Sequence, residues 1–144
     1  MIVVTREVRT RATPRAVFAY LSDFTTTTEW DPGTIRTVRR TGDGGVGTVY
    51  DNTSEFNGRS TELTYTVTEL TEPRRISLRG ENATLEALDT ITVEPDDHGS
   101  RVRYQATFRF RSLPLRLAAP FLRPAFRRLG DEAESGMRAA LARL

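Results

Sequence analysis

Between Arg101 and Arg111 polar and apolar residues alternate one for one. Val102, Tyr104, Ala106, Phe108 and Phe110 take one set of positions, and Arg101, Arg103, Gln105, Thr107, Arg109 and Arg111 the other. Side chains of an extended strand point alternately to its two faces, so this spacing predicts a strand with one wet and one covered face. Other strand-like pieces precede it: Ile35–Arg40, Gly47–Phe56, Arg59–Leu70, Arg74–Arg79 and Thr84–Val93. Turn-forming clusters separate them. Asn57-Gly58 is the sharpest, because both residues tolerate the positive φ of a two-residue hairpin. Residues 2–11 read as a further strand, with Val4 and Val8 on one face and Arg6 a candidate for the same face.

After Ser112 the period changes. Leu122, Ala125, Leu129, Ala133, Met137, Ala140 and Leu144 recur at steps of three and four, the stripe of an amphipathic helix. Arg127–Asp131, Arg128–Glu132 and Glu134–Arg138 have the four-residue spacing of helical ion pairs. Pro120 and Pro124 each remove a helical hydrogen bond, which predicts a kink or restart there and an uninterrupted rod from Pro124 to Leu144, about 30 Å long. Gly130 and Gly136 each weaken a helix by about 1 kcal/mol relative to Ala. They mark either close packing or simple tolerance. Near the other end, Thr13-Pro14 supplies a cap and a first-turn proline for a short helix with Val17, Phe18 and Leu21 on its apolar side. Phe24–Trp30 reads as a second short helix or turn, and Asp31-Pro32-Gly33 as a turn.

These elements predict an α+β fold: a curved antiparallel sheet of about seven strands wrapped around a long C-terminal helix, with two short helices after the first strand. By alternation, Val46, Thr48, Tyr50, Leu63, Tyr65, Val67, Ile76, Leu78, Leu85, Ile91, Val93, Val102, Tyr104, Phe108 and Phe110 point inward.

Composition narrows the function classes. Residues 1–144 suit a single domain, with 38% hydrophobic and 28% charged residues, ordinary values for a globule. The net charge is only +2, so nucleic acid is not an expected partner. Cysteine is absent, which removes disulfides, thiolate nucleophiles and Cys-ligated metals. All 21 basic residues are Arg, so Schiff-base chemistry and a P-loop lysine are also excluded. The apolar run after Met1 is too short for a signal peptide, and no later run approaches a membrane span. The expected compartment is the cytoplasm.

The order strand, two short helices, six strands, long helix is carried by Ala12-Thr-Pro-Arg-Ala-Val-Phe-Ala-Tyr-Leu-Ser-Asp23, Trp30-Asp-Pro-Gly33, Gly45-Val-Gly-Thr48, and Glu94-Pro95 through Gly99-Ser-Arg-Val102. In these pieces the whole chain resembles the START-like (SRPBCC) superfamily, and within it the polyketide cyclase/dehydrase and lipid-transport branch. The resemblance implies a helix-grip fold with a deep cavity between sheet and terminal helix. It also implies a hydrophobic small-molecule ligand (lipid, polyketide or isoprenoid-like); no cofactor is expected. Members include aromatase/cyclases, coenzyme Q-binding proteins, plant hormone receptors and sterol or phospholipid carriers. They share no catalytic motif, so none is carried over. Thr25–Thr28 and the two helix prolines depart from the usual pattern.

Asp89 stands out chemically. It falls on the inward positions of Leu85, Ala87, Ile91 and Val93, where a lone carboxylate costs several kcal/mol. It is read either as a ligand anchor or general base, or as the structural partner of an inward Arg such as Arg6. Tyr50, Tyr65 and Tyr104 bring phenols to the same face, either to orient a ligand or to pack. The expected ligand contacts are Trp30, Tyr50, Leu63, Tyr65, Ile76, Leu78, Asp89, Ile91, Tyr104, Phe108 and Phe121. Trp30 also reads as a core anchor for the short helices. His98, the only histidine, lies in a turn, and no metal site is expected. The segment from Arg116 to Arg128 mixes Leu115, Leu117, Phe121, Leu122 and Phe126 with four arginines. It suits a peripheral membrane contact, a cavity gate, or a solvated helix end. Three functions stay open: a carrier of a hydrophobic molecule, a cyclase/dehydrase using Asp89 and tyrosines, and an interaction module using the Arg-rich helix. The sequence leaves the oligomeric state open.

Overall fold

The computed structural model describes residues 1–144. Seven strands, β1 (Ile2–Thr10), β2 (Thr34–Thr41), β3 (Val49–Phe56), β4 (Arg59–Thr71), β5 (Arg75–Glu81), β6 (Leu85–Asp96) and β7 (Gly99–Phe110), form one sheet. Its order is β1-β7-β6-β5-β4-β3-β2, antiparallel throughout. Between β1 and β2 lie α1 (Pro14–Ser22), a 3₁₀ turn (Phe24–Thr26) and α2 (Thr27–Trp30). Thr13 caps α1 by accepting from the Ala16 amide, as the Thr-Pro pair predicts. Asn57 (φ 53°) and Gly58 (φ 79°) close the β3–β4 hairpin in the left-handed region.

The terminal helix α3 runs without interruption from Leu113 to Leu141, through both Pro120 and Pro124. The expected restart at the prolines does not occur. Both prolines face solvent, and the carbonyls they leave without a helical partner belong to exposed Arg116 and Pro120, where water can satisfy them. No helix is long and apolar enough to cross a membrane.

The two helix glycines are close-packing points. A Cβ on Gly130 would stand 2.4 Å from Val4 Cγ1, and one on Gly136 would stand 2.0 Å from the Trp30 carbonyl oxygen. Gly130 thus lets α3 settle on β1, and Gly136 lets it settle on α2. Arg6 fixes the first contact: its Nε donates to Asp131 Oδ1 at 3.0 Å and Nη2 to the Arg127 carbonyl at 3.1 Å. Of the three expected four-residue pairs, only Glu134–Arg138 forms. Val46, expected to point inward, is exposed because residues 42–47 turn before β3 begins.

Two apolar clusters result. The larger joins Val17, Phe18 and Leu21 of α1 and Met137 and Leu141 of α3 to the middle of the sheet. The smaller joins Ile2, Val4, Ala87, Ala106, Phe108 and Phe110 to Ala119 and Phe126 of α3.

Candidate functional site

A cavity of about 380 Å³ lies where the two clusters fail to meet. Its origin is geometric. Helix α3 packs on β1 and α2 and only lightly on β7, while β2 to β5 curve away from it. A bent sheet and a single helix cannot close-pack along their whole length. Leu115, Leu122, Phe126 and Leu129 line the helix side. Phe56, Leu63, Tyr65, Leu85, Phe108 and Phe110 line the sheet side, and Phe24 and Trp30 come from the short helices. Exposed Glu55, Asn57, Arg59 and Thr84 form the rim, between the β3–β4 hairpin and the start of β6.

The polar groups fall into two sets. Along one wall a ladder runs from α2 through β2 to β3. Thr27 donates to the Phe24 carbonyl, Thr37 and Thr27 share a hydrogen bond of 2.7 Å, Asn52 Nδ2 donates to Thr37 at 2.9 Å, and Ser54 donates to Asn52 Oδ1 at 2.8 Å. Every member has a partner, so this set is structural scaffolding with Asn52 and Ser54 on the wall.

The second set is incompletely paired. Asp89 is only 4% exposed and accepts one long bond, 3.3 Å, from the Tyr104 hydroxyl to Oδ2. Asp89 Oδ1 and Trp30 Nε1 are the buried side-chain polar atoms without any partner, and both residues line the cavity. The Trp30 edge meets the Tyr104 ring at 5.7 Å and 75°. Burial pushes the Asp89 carboxyl up to about 7, the Asp31 carboxylate adds to the rise, and the Tyr104 hydroxyl opposes it. Burial, then the charges of Asp89 and Asp31, push the Tyr65 and Tyr104 phenols well above their usual value. Asp31 accepts from the Gly33 amide and the Thr34 hydroxyl, and burial raises it too. No cationic side chain sits among these groups. Arg59 on the rim is the one cation lining the cavity. Arg6 points to α3, so the Asp89–Arg6 pairing considered from the sequence does not form.

Of the residues expected to contact a ligand, Trp30, Leu63, Tyr65, Asp89, Tyr104 and Phe108 lie on the cavity wall. Ile76, Leu78 and Ile91 do not. They are buried in the larger cluster with α1 and the back of α3. Tyr50 packs against Phe24 at 5.7 Å, behind the wall. Phe121 is 85% exposed, because the unbroken helix gives the inner face to Leu122 and turns Phe121 away from it. Alternation in β3, continued past Tyr50 to Asn52, Ser54 and Phe56, would have identified three wall residues. Nothing in the local pattern marks Asp31 or Thr27.

The family described as polyketide cyclase/dehydrase and lipid transport matches residues 1–144. The chain belongs to this family. Members of the polyketide cyclase/dehydrase and lipid transport family fall within the START-like superfamily, and the fold agrees. The aromatase/cyclase Zhui from a Streptomyces species is similar, with a TM-score of 0.79 at 14% identity over 97% of this chain and 92% of that one. A START superfamily protein from Mycobacterium smegmatis gives 0.77 at 14% identity over 97% and 95%. The di-domain aromatase/cyclase BexL gives 0.75 at 13% identity, with 97% of this chain covering 50% of that one. No curated protein sequence matches the chain. At these identities the likeness establishes the fold.

Proposed function

We propose that the protein binds a hydrophobic small molecule of the lipid, polyketide or isoprenoid type in the cavity between the sheet and α3. One observation carries the reading: the wall is mainly apolar, and the two buried polar atoms without partners, Asp89 Oδ1 and Trp30 Nε1, both belong to residues on it. Unpaired buried polar groups cost free energy, and a ligand supplying their partners recovers it. Trp30 N–H offers a donor to a ligand carbonyl or hydroxyl, and Asp89 offers its carboxyl. The apolar remainder of the ligand would fill the space up to Phe126. A volume of this size suits a small molecule, within the roughly 300–1,000 Å³ range of such sites. Native mass spectrometry of the purified protein, followed by thermal denaturation with the extracted molecule, tests it. The expected result is a co-purified lipophile that raises the Tm of the parent protein but not of a Trp30→Phe, Asp89→Leu variant. A panel of lipophiles that never shifts the Tm refutes the proposal.

A second reading, cyclisation of a polyketone-like substrate, is favoured by the Asp89 carboxyl lying near neutrality beside Tyr104. Asp89 would take a proton from the carbon between two carbonyls, and the resulting enolate would attack a third carbonyl carbon. The proton would return to the new alkoxide. A second abstraction by Asp89, with the hydroxyl leaving as water on the proton so taken, would complete a dehydration. Aromatase/cyclase activity of Zhui and BexL makes such substrates the first to assay. Turnover surviving Asp89→Asn rules out this role for Asp89 while leaving the binding proposal intact.

A further inference from the structure

The front half of α3 carries an apolar face that the fold leaves uncovered. Leu113, Leu117 and Phe121, four residues apart in series, are 66%, 69% and 85% exposed. Pro114, Pro120 and Pro124, also exposed, lie on the same outer side. Leu115, Leu122 and Phe126 of the same segment face the cavity. A helix apolar on both its inner and outer sides expects cover on both.

Charge indicates what that cover is. Residues 112–130 contain four arginines and no acidic residue. None of Arg116, Arg123, Arg127 and Arg128 forms an ion pair. Arg116 donates Nε–H to the Phe110 carbonyl, a neutral acceptor. Arg128 lies among the outer apolar residues, while Arg116, Arg123 and Arg127 follow one edge of them at helical spacing. We propose that this face docks on an anionic lipid surface, with Leu113, Leu117 and Phe121 inserted among the acyl chains and the four arginines among the phosphates. The face is the outer side of a single helix, with Leu113, Leu117 and Phe121 as its large apolar side chains. A second copy would bring like charges together. A membrane satisfies both the greasy ridge and its basic border.

Vesicle flotation tests the proposal on the full chain. Vesicles of equal parts phosphatidylcholine and phosphatidylglycerol at low salt should carry the protein, pure phosphatidylcholine vesicles should not, and added salt should release it. Leu117→Glu with Phe121→Glu should weaken binding about tenfold or more. Arg123→Gln, Arg127→Gln and Arg128→Gln together should weaken it about a hundredfold. Arg101→Gln, on the wet side of the sheet, should leave it unchanged. All these side chains are on the surface, and an unchanged Tm of each variant verifies the fold. Failure of the parent protein to float with mixed vesicles overturns the proposal, as does equal flotation with pure phosphatidylcholine. Sedimentation showing a dimer that Phe121→Glu dissolves, without vesicle binding, assigns the face to a second copy instead. Because flotation needs no cavity ligand, the outcome is independent of the binding function proposed above.

Discussion

The α-carbon of Gly136 faces the main chain of Trp30 so closely that a methyl group on it would stand 2.0 Å from the Trp30 carbonyl oxygen. That contact brings α3 against α2 and puts the Trp30 ring at the cavity wall. Gly136→Ala gains about 1 kcal/mol of helix propensity and still destabilises, because the clash is with backbone that cannot rotate aside. A net loss of about 1–3 kcal/mol is expected in urea denaturation. A stabilised variant would show that α2 moves freely from the helix.

Asp89 gives the folding free energy a pH dependence of defined sign. The folded chain holds this proton up to about 7, whereas an unperturbed carboxyl releases it near 3.8. Between those values the unfolded state binds fewer protons, so stability falls as pH rises through that window and levels off above it. Asp31, also raised, acts in the same direction. Asp89→Asn removes the larger part of the slope and makes the protein more stable than its parent at pH 8, by up to ~4 kcal/mol. Urea midpoints at pH 5 and pH 8 check this. Parallel curves for parent and variant would mean that Asp89 does not titrate in this range.

Gly80 underlies the Tyr65 ring, and a Cβ there would stand 2.5 Å from Tyr65 Cε1. Gly80→Ala therefore drives the ring from the sheet into the cavity. The expected outcome is a smaller response of Tm to the co-purified lipophile, with a loss of intrinsic stability of about 1–3 kcal/mol. Tyr65→Leu in the same background restores the response, which separates lost volume from misfolding.

Phe126 holds the smaller cluster together, with ring centroids 4.5 Å from Phe56, 4.6 Å from Phe108 and 6.1 Å from Phe110. Phe126→Ala should cost about 3–5 kcal/mol, partly by enlarging a space that is already present. Chemical denaturation gives the magnitude. A bulkier lipophile should recover more of the Tm in this variant than in the parent, a gain that simple unfolding would not produce.

Strand existence was readable wherever alternation met a hydrophobic face, as in β7, and the Asn57-Gly58 hairpin was readable from backbone preference alone. Asp89 was also visible, because a carboxylate at an inward position breaks the pattern of its neighbours. Its partner was not: Arg6 shares the inward face of the sheet, but only the docking of α3 directs it to Asp131. The cavity wall was half legible for a similar reason. Alternation says which side chains point inward, yet Ile76, Leu78 and Ile91 are enclosed within the larger cluster, while Leu63 and Tyr65 of the same cluster also border the cavity. That distinction depends on where a rod touches a curved sheet. Phe121 lies among apolar residues of its segment, and only the phase of α3 on the sheet shows that it faces outward. The carbonyl partners of the two helix prolines lie in solvent, so the helix continued in register.

The clasp made by Arg6 has a mechanical consequence. It grips α3 at Arg127 and Asp131, on the border between the segment seated on the larger cluster and the segment seated on the smaller one. That border is the expected fulcrum of any opening of the helix: residues 113–126 should part from the sheet before residues 131–141 do. Amide exchange should record this as a step in protection along one continuous helix, fast ahead of the fulcrum and slow behind it.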